Sequence, residues 1–292
     1  MVYLKLVLTM VLWGGTFVAG RQLAGQVGPA AAAFLRFAIA TACLLALIRL
    51  KEGALPRLDR RGVLGVLLLG ATGVFAYNVL FFTGLATVGA GRAAVIIAGN
   101  PILIALGAAL FFGEGLTRRK AAGISLSVAG AVTVIGRGDP LSLLSSGVTP
   151  GDAAILGCVA SWSAYSLLGK AVMGRISPLA AVTWSSLAGT LMLVPAALAE
   201  GLTPGAYPLG AWAGLAYLGV CGTVLGFTWF YEGIRAVGAS RAGVFINLVP
   251  VSAVILAYVL LGEPVDMSLL AGGLLVLTGV WLTNTARRPA AA

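Results

Sequence analysis

Apolar residues in this chain neither alternate nor form narrow stripes; they come in continuous runs, many close to the roughly 20 residues that cross a bilayer. Ten runs are expected to be helices: Leu4–Gly20, Pro29–Leu50, Gly62–Gly84, Ala90–Phe112, Arg118–Gly136, Gly151–Met173, Pro178–Glu200, Gly210–Gly233, Ala239–Leu261 and Ser268–Ala286. Glycine, proline and charge punctuate the short segments between them. Only Arg49–Arg61 and Gly136–Gly151 are longer polar connections, so no soluble domain is expected. A transmembrane β-barrel would need short alternating segments instead. The fold class is therefore an all-α polytopic membrane protein.

The pattern is written twice. Gly84, Val88, Gly89, Ala90, Arg92, Ala93, Pro101, Gly113 and Glu114 recur as Gly233, Val237, Gly238, Ala239, Arg241, Ala242, Pro250, Gly262 and Glu263. Each lies 149 positions after its partner, as 84 does from 233 and 101 from 250. The same offset pairs Trp13 with Trp162, Gly20 with Gly169, Pro29 with Pro178, Gly73 with Gly222, Gly123 with Gly272 and Gly130 with Gly279. Self-similarity at a fixed period marks a repeat architecture. The expected division is 1–137 for the first five-helix repeat, 138–150 for the connection, 151–286 for the second repeat and 287–292 for a tail.

Composition supports the membrane reading. Apolar residues make up 60% and charged residues 10%, against about 25% charged in soluble domains. The net charge of +10 is explained by short basic loops rather than by nucleic acid. Fifteen basic residues fall on the side of the N-terminus and three on the other, with Arg36 inside a helix. By the positive-inside rule both termini are cytoplasmic. Lys5 and its apolar run resemble a leader; the repeat requires that run, so it is read as an uncleaved first helix. Five helices per repeat is odd, so the second repeat must run in the opposite sense to the first. Inverted-topology repeats are typical of secondary transporters, with the substrate site at their interface near mid-membrane.

Trp13-Gly14-Gly15-Thr16-Phe17, Arg36-Phe37, Gly89–Pro101 with Gly113-Glu114, and their second-half counterparts carry a likeness to a known group. Over nearly the whole chain the sequence resembles the ten-helix, two-repeat (EamA-type) branch of the drug/metabolite transporter superfamily, and most of all its bacterial aromatic amino-acid exporters. The resemblance implies inner-membrane export of amino acids or related metabolites. It also implies a central cavity surrounded by the first, third, fourth, sixth, eighth and ninth helices, with the second helix peripheral. The small multidrug members carry an acid in the first helix; here every Asp and Glu sits at or near a helix end or in a loop. An ionisable residue deep in the bilayer is the usual mark of an ion site, so facilitated transport is expected rather than proton antiport.

Asn100-Pro101 leads the candidate site. Proline removes a backbone hydrogen bond and clashes with the carbonyl four residues back. Pro250, with Asn247 about one turn earlier, repeats the device. The pair reads as hinges at Pro101 and Pro250 with polar groups for substrate at Asn100 and Asn247; the alternative is two bends that only shape the bundle. Asn78 reads equally as substrate contact or interhelical glue. Trp13, Phe17, Tyr77, Phe81, Trp162, Tyr165 and Trp184 are the expected aromatic wall, Trp13 and Trp162 lying too near the middle of their runs for interfacial belts. Trp229 and Tyr231 read as belt residues. Arg36 could hold a substrate carboxylate, but a structural pair or snorkelling is the expected role. Arg21 and Lys170 read as charges at the rims, and Glu114 and Glu263 as anchors paired with a base or a backbone N–H. Gly210/Gly214 and Gly222/Gly226 permit close helix approach.

With no histidine there is no usual Ser-His pair or zinc-protease motif, and no catalytic site, cofactor or metal is expected. Cys43, Cys158 and Cys221 lie in apolar runs, so no disulfide is expected. The reading is an inner-membrane amino-acid exporter working by alternating access, its partners a small-molecule substrate and the lipid bilayer. A monomer is expected and a dimer is left open. The rivals are a proton-coupled exporter of other metabolites or drugs, a channel or scramblase, and a non-transporting receptor or assembly subunit.

Overall fold

The computed structural model describes residues 2–112, 117–139, 141, 148–172, 176–237, 245–246 and 248–285. They form ten helical spans with no strand among them: α1 Val2–Leu23, α2 Pro29–Glu52, α3 Arg60–Leu85, α4 Ala90–Phe112, α5 Arg118–Ile135, α6 Pro150–Val172, α7 Pro178–Ala199, α8 Leu209–Val237, α9 Leu248–Leu261 and α10 Met267–Thr285. Five are long and apolar enough to cross a membrane whole: α1, α2, α3, and within α7 and α8 the stretches Leu179–Ala199 and Leu209–Phe230. Expected and observed boundaries differ mostly by one to four residues. Of the expected ninth helix Leu248–Leu261 is described as helix, after a helical Phe245 and a turn at Ile246; Asn247, Gly238–Ala242 and Glu114 lie outside the described residues.

The ends of the helices show which way each runs. Lys5 at the start of α1 meets Glu232 near the end of α8 at 2.7 Å, and Lys51 at the end of α2 reaches the same carboxylate at 3.7 Å. This is the near face. On the far face, Arg21 at the end of α1 donates to the carbonyls of Leu85 and Ala86, each at 2.6 Å. Arg92 at the start of α4 meets Asp152 at the start of α6 at 3.5 Å. So α1 runs from near to far and α6 from far to near, and the repeats are inverted.

Two contacts join a residue to its own repeat partner. Thr41 and Thr190 share a hydroxyl hydrogen bond of 3.1 Å, and Ser127 Oγ donates to the Val276 carbonyl at 3.1 Å. A residue can meet its counterpart only on the axis that relates the two, so a pseudo-two-fold passes between α2 and α7 and again between α5 and α10. Around Ser127 the backbones nearly touch: a Cβ on Gly130 would lie 2.6 Å from the Gly272 carbonyl, and one on Gly279 2.4 Å from the Gly123 carbonyl. In lipid, where apolar burial gives helices little reason to associate, such close packing supplies the attraction.

The paired helices also cap one another. The carboxylate of Glu200, at the end of α7, accepts from Ala30 N and Ala31 N in the first turn of α2, each at 2.9 Å. Glu52, at the end of α2, accepts from Ser177 Oγ at 2.9 Å, and that oxygen caps α7 through Ala180 N. Glu263 likewise accepts from Ala90 N at 2.8 Å and Gly91 N at 3.2 Å, the anchoring role expected of it. An acid moved from its own helix C-terminus to another's N-terminus exchanges an unfavourable dipole for a favourable one.

Candidate functional site

Among the described residues three spans depart from regular helix, two of them at corresponding repeat positions. Residues Gly70–Ala76 of α3 and Tyr217–Leu225 of α8 are wound as π-helix; adding 149 to the first range gives 219–225. Helix α4 breaks at Ala98-Gly99 and resumes at Asn100. Pro101 thus stands in the first turn of a new helical segment, as Pro250 does in α9. The expectation of two kinks in continuous helices is corrected here for α4. A proline in a first turn has no intrahelical bond to lose, so the chain stops before it rather than bending over it. π-bulges and interrupted helices recur at functional sites because they leave backbone groups free for other partners.

The freed carbonyls are taken differently in the two halves. In α8 the Gly222 carbonyl accepts from Trp13 Nε1 at 2.9 Å. In α3 the equivalent Gly73 carbonyl accepts from Asn78 Nδ2 at 3.3 Å, and Val74 O from the same amide at 2.8 Å. The position equivalent to Asn78 is Phe227, which cannot donate, so Trp13 is drawn in to serve α8. Its partner Trp162 has no such duty, and it lines a cavity.

That cavity has a volume of about 40 Å³ and lies between α2, α3, α6, α7 and α8. Its aromatic wall is Tyr77, Trp162, Tyr165 and Phe227; Trp162 is 5.4 Å from the Tyr77 ring, 5.3 Å from Tyr165 and 6.4 Å from Phe227. Ser185 and Ser186 of α7 and Thr223 of α8 add hydroxyls. Asn78 and Arg36 complete it. Arg36, 8% exposed, donates through Nη1 to Asn78 Oδ1 at 2.9 Å and through Nη2 to Thr223 Oγ1 at 3.4 Å, while its Nε is buried without a partner. Its carbon lies 5.2 Å from the Phe37 ring centre.

Of the two roles expected of Arg36, the structural pair is the one formed, with Asn78; the side chain turns into the bundle rather than toward the interface, because α2 packs against the π-helical stretches of α3 and α8. The expectation of a peripheral second helix is corrected. Helices α2 and α7 therefore supply this cavity, and among the described residues α1, α4 and α9 do not. Asn78 is both glue and wall: its amide ties Arg36 to the loosened turn of α3.

The remaining candidates fall elsewhere. Trp13 is locked on α8 beside Phe227 and Phe230, at 5.6 and 5.3 Å. Phe17 and Phe81, 5.3 Å apart, are buried between α1 and α3; Phe81 stacks on Tyr77 at 5.8 Å and so backs the wall. Trp184 points to the α2–α3 connection, donating to the Pro56 carbonyl at 3.0 Å. Asn100 is behind α6, its carbonyl accepting from Ser163 Oγ at 3.4 Å and its Oδ1 buried without a partner. Asn247 and the side chain of Lys170 lie outside the described parts. Sequence reasoning passed over Thr223, Ser185 and Ser186. A signal was present: Arg36 and Ser185 are themselves 149 apart, so the repeat carries one site onto the other.

The comparisons agree with this architecture. The profile of the EamA-like transporter family matches residues 1–136 and again 149–285. "Uncharacterized transporter YyaM" of Bacillus subtilis (strain 168) is 28% identical over 281 residues, covering 96% of this chain and 92% of the relative. The "Probable terminal-alkyne amino-acid exporter" of Streptantibioticus cattleyicolor is 32% identical over 283 residues, with the same two coverages. A crystal structure with 22% identity superposes with a TM-score of 0.64 over 96% of both chains, which bears on the fold alone. With two matched repeats and these relatives, the chain is a multi-pass membrane transporter of the EamA-like family.

Proposed function

We propose that this protein exports amino acids, aromatic and other neutral ones, across the bacterial plasma membrane by alternating access, as a monomer with both termini in the cytoplasm. The observation that carries the reading is the cavity between the repeats, where four aromatic rings face a buried cation and a set of neutral polar groups. Rings suit an apolar or aromatic side chain; polar groups suit the zwitterionic end. A relative named as a probable amino-acid exporter supports the same substrate class. About 40 Å³ has room for a few waters and falls far short of the roughly 300 Å³ where ligand pockets begin. Cargo therefore enters only as the helices around it part, which is what rocking of two inverted repeats supplies. The described carboxylates all lie at helix ends or in loops, and none lines the cavity, so the transport is facilitated rather than proton-driven. The relatives bear transporters' names, which supports a carrier rather than an enzyme.

The test is flux in liposomes containing only this protein. Saturable counterflow of labelled phenylalanine or tryptophan, indifferent to a pH gradient, is the expected result. A requirement for a proton gradient would overturn the facilitated mechanism. Flux without saturation or counterflow would point to a channel, and movement of a sugar but no amino acid would overturn the substrate.

A further inference from the structure

We infer that Arg36 receives a carboxylate of the cargo, so that this carrier selects for a monoanionic carboxyl group and not merely for an aromatic body. The inference deepens the proposed function and rests on it.

A guanidinium buried away from water is costly unless it is paired and fully hydrogen-bonded. Arg36 has neither compensation in full. Its partners are a neutral amide, a neutral hydroxyl and a ring. No carboxylate among the described residues pairs with it, and Nε is buried without an acceptor. A purely structural role would be served better by an acid in place of Asn78, which stands at 2.9 Å. An amide there holds the cation without neutralising it. Ionisable residues inside a membrane bundle mark substrate paths, and the planar fork of arginine matches a carboxylate in two-point contact.

The neighbours fix the orientation. Asn78 is itself held by the Gly73 and Val74 carbonyls and Thr223 by the Leu218 carbonyl at 3.0 Å. Both are positioning residues that aim Arg36. With the carboxylate there, the rest of the cargo lies along Tyr77 and Trp162. The repeat partner of Arg36 is Ser185, on the same cavity, so only one end of a pseudo-symmetric site is charged and the cargo has a single preferred direction.

The experiment uses wild-type protein in liposomes loaded with labelled phenylalanine, with competitors that divide its two ends. 3-Phenylpropanoate keeps the carboxylate and lacks the amine; phenethylamine and phenylalanine methyl ester lack the carboxylate. The first is expected to compete within about tenfold of phenylalanine, the other two at least about a hundredfold more weakly, because a site built for a hydrogen-bonded group rejects analogues lacking it. Arg36→Lys is expected to raise KM about tenfold with kcat little changed, and Arg36→Met to abolish competition by 3-phenylpropanoate. Equal competition by phenethylamine in wild type would overturn this inference and leave the amino-acid reading standing, whether or not the variants fold. Transport of labelled 3-phenylpropanoate without any amino acid would do the reverse. An Arg36→Met protein that folds and keeps the wild-type KM would also overturn it.

Discussion

Positions 36 and 185 are repeat partners, as are 78 and 227 and 13 and 162, yet each pair has split its labour. The first repeat brings charge and an amide to the cavity in Arg36 and Asn78; the second brings a hydroxyl and a ring in Ser185 and Phe227. Trp13 fastens α1 to α8 through the Gly222 carbonyl, whereas Trp162 faces the cavity. The backbone keeps the repeat symmetry, while the side chains break it, so that the cavity between the repeats is chemically asymmetric. One substitution links these differences: an amide at 78 satisfies α3 locally, and a phenylalanine at 227 leaves α8 to be satisfied from α1.

The division of labour between the repeats is most exposed at Asn78. Asn78→Leu would strip the loosened turn of α3 and Arg36 of their shared partner. Leaving buried polar groups unsatisfied costs about 1–3 kcal/mol each, more for charges, so a loss of about 2–4 kcal/mol is expected in denaturant unfolding in detergent. A loss under 1 kcal/mol would mean that the amide holds nothing. Phe227→Asn should be milder and should relieve α8 of its need for Trp13.

The glycines at the two π-stretches offer the next contrast. A Cβ on Gly73 would fall 2.2 Å from the Tyr165 ring, and one on Gly222 2.7 Å from the Thr16 methyl. Overpacking costs about 1–3 kcal/mol, and a ring confined in the cavity wall yields less readily than a methyl group. Gly73→Ala is expected to be the more damaging in thermal unfolding, with its larger defect in transport. The opposite order would show that the α1–α8 contact is the tighter of the two.

The tryptophans should dissociate stability from transport. Trp13→Phe removes one indole hydrogen bond, worth about 1 kcal/mol, and should lower the melting temperature while leaving KM near wild type. Trp162→Phe should leave the melting temperature nearly unchanged and raise KM for tryptophan more than for small neutral amino acids. Matching effects on both measurements would merge the two roles assigned here. The smallest effect is expected at the near face. Glu232→Gln breaks contacts of Lys5 and Lys51 whose side chains are 39–47% exposed. Such pairs are worth a few tenths of a kcal/mol and are screened by salt, so the difference from wild type should vanish in high-salt unfolding.

Much of the fold is written locally. Run length gave the spans, the 149-residue offset gave the repeat, and an odd helix count with asymmetric basic loops gave the inversion. A disturbance at Pro101 is local too, since proline's missing N–H acts on its own chain, although the pattern reads as a bend where the helix stops and restarts. Even Glu263 at a helix end declared its need for a donor. These features are legible because each follows from one segment meeting lipid, water or its own backbone.

The site was decided elsewhere. Nothing near Arg36 in sequence says whether it leaves toward lipid headgroups or turns inward; Asn78 and Thr223, 42 and 187 residues away, provide its partners. Trp13 and Trp162 hold equivalent repeat positions and meet different fates, and Asn78 and Phe227, on other helices, set what each finds to bind. The π-helical turns carry no composition signal beyond two glycines each and open where a neighbouring helix presses close. By itself the sequence determined that two inverted five-helix units must pack in a membrane. Only the tertiary structure decided which polar groups meet between them, because a buried hydrogen bond depends on where two distant segments come to lie.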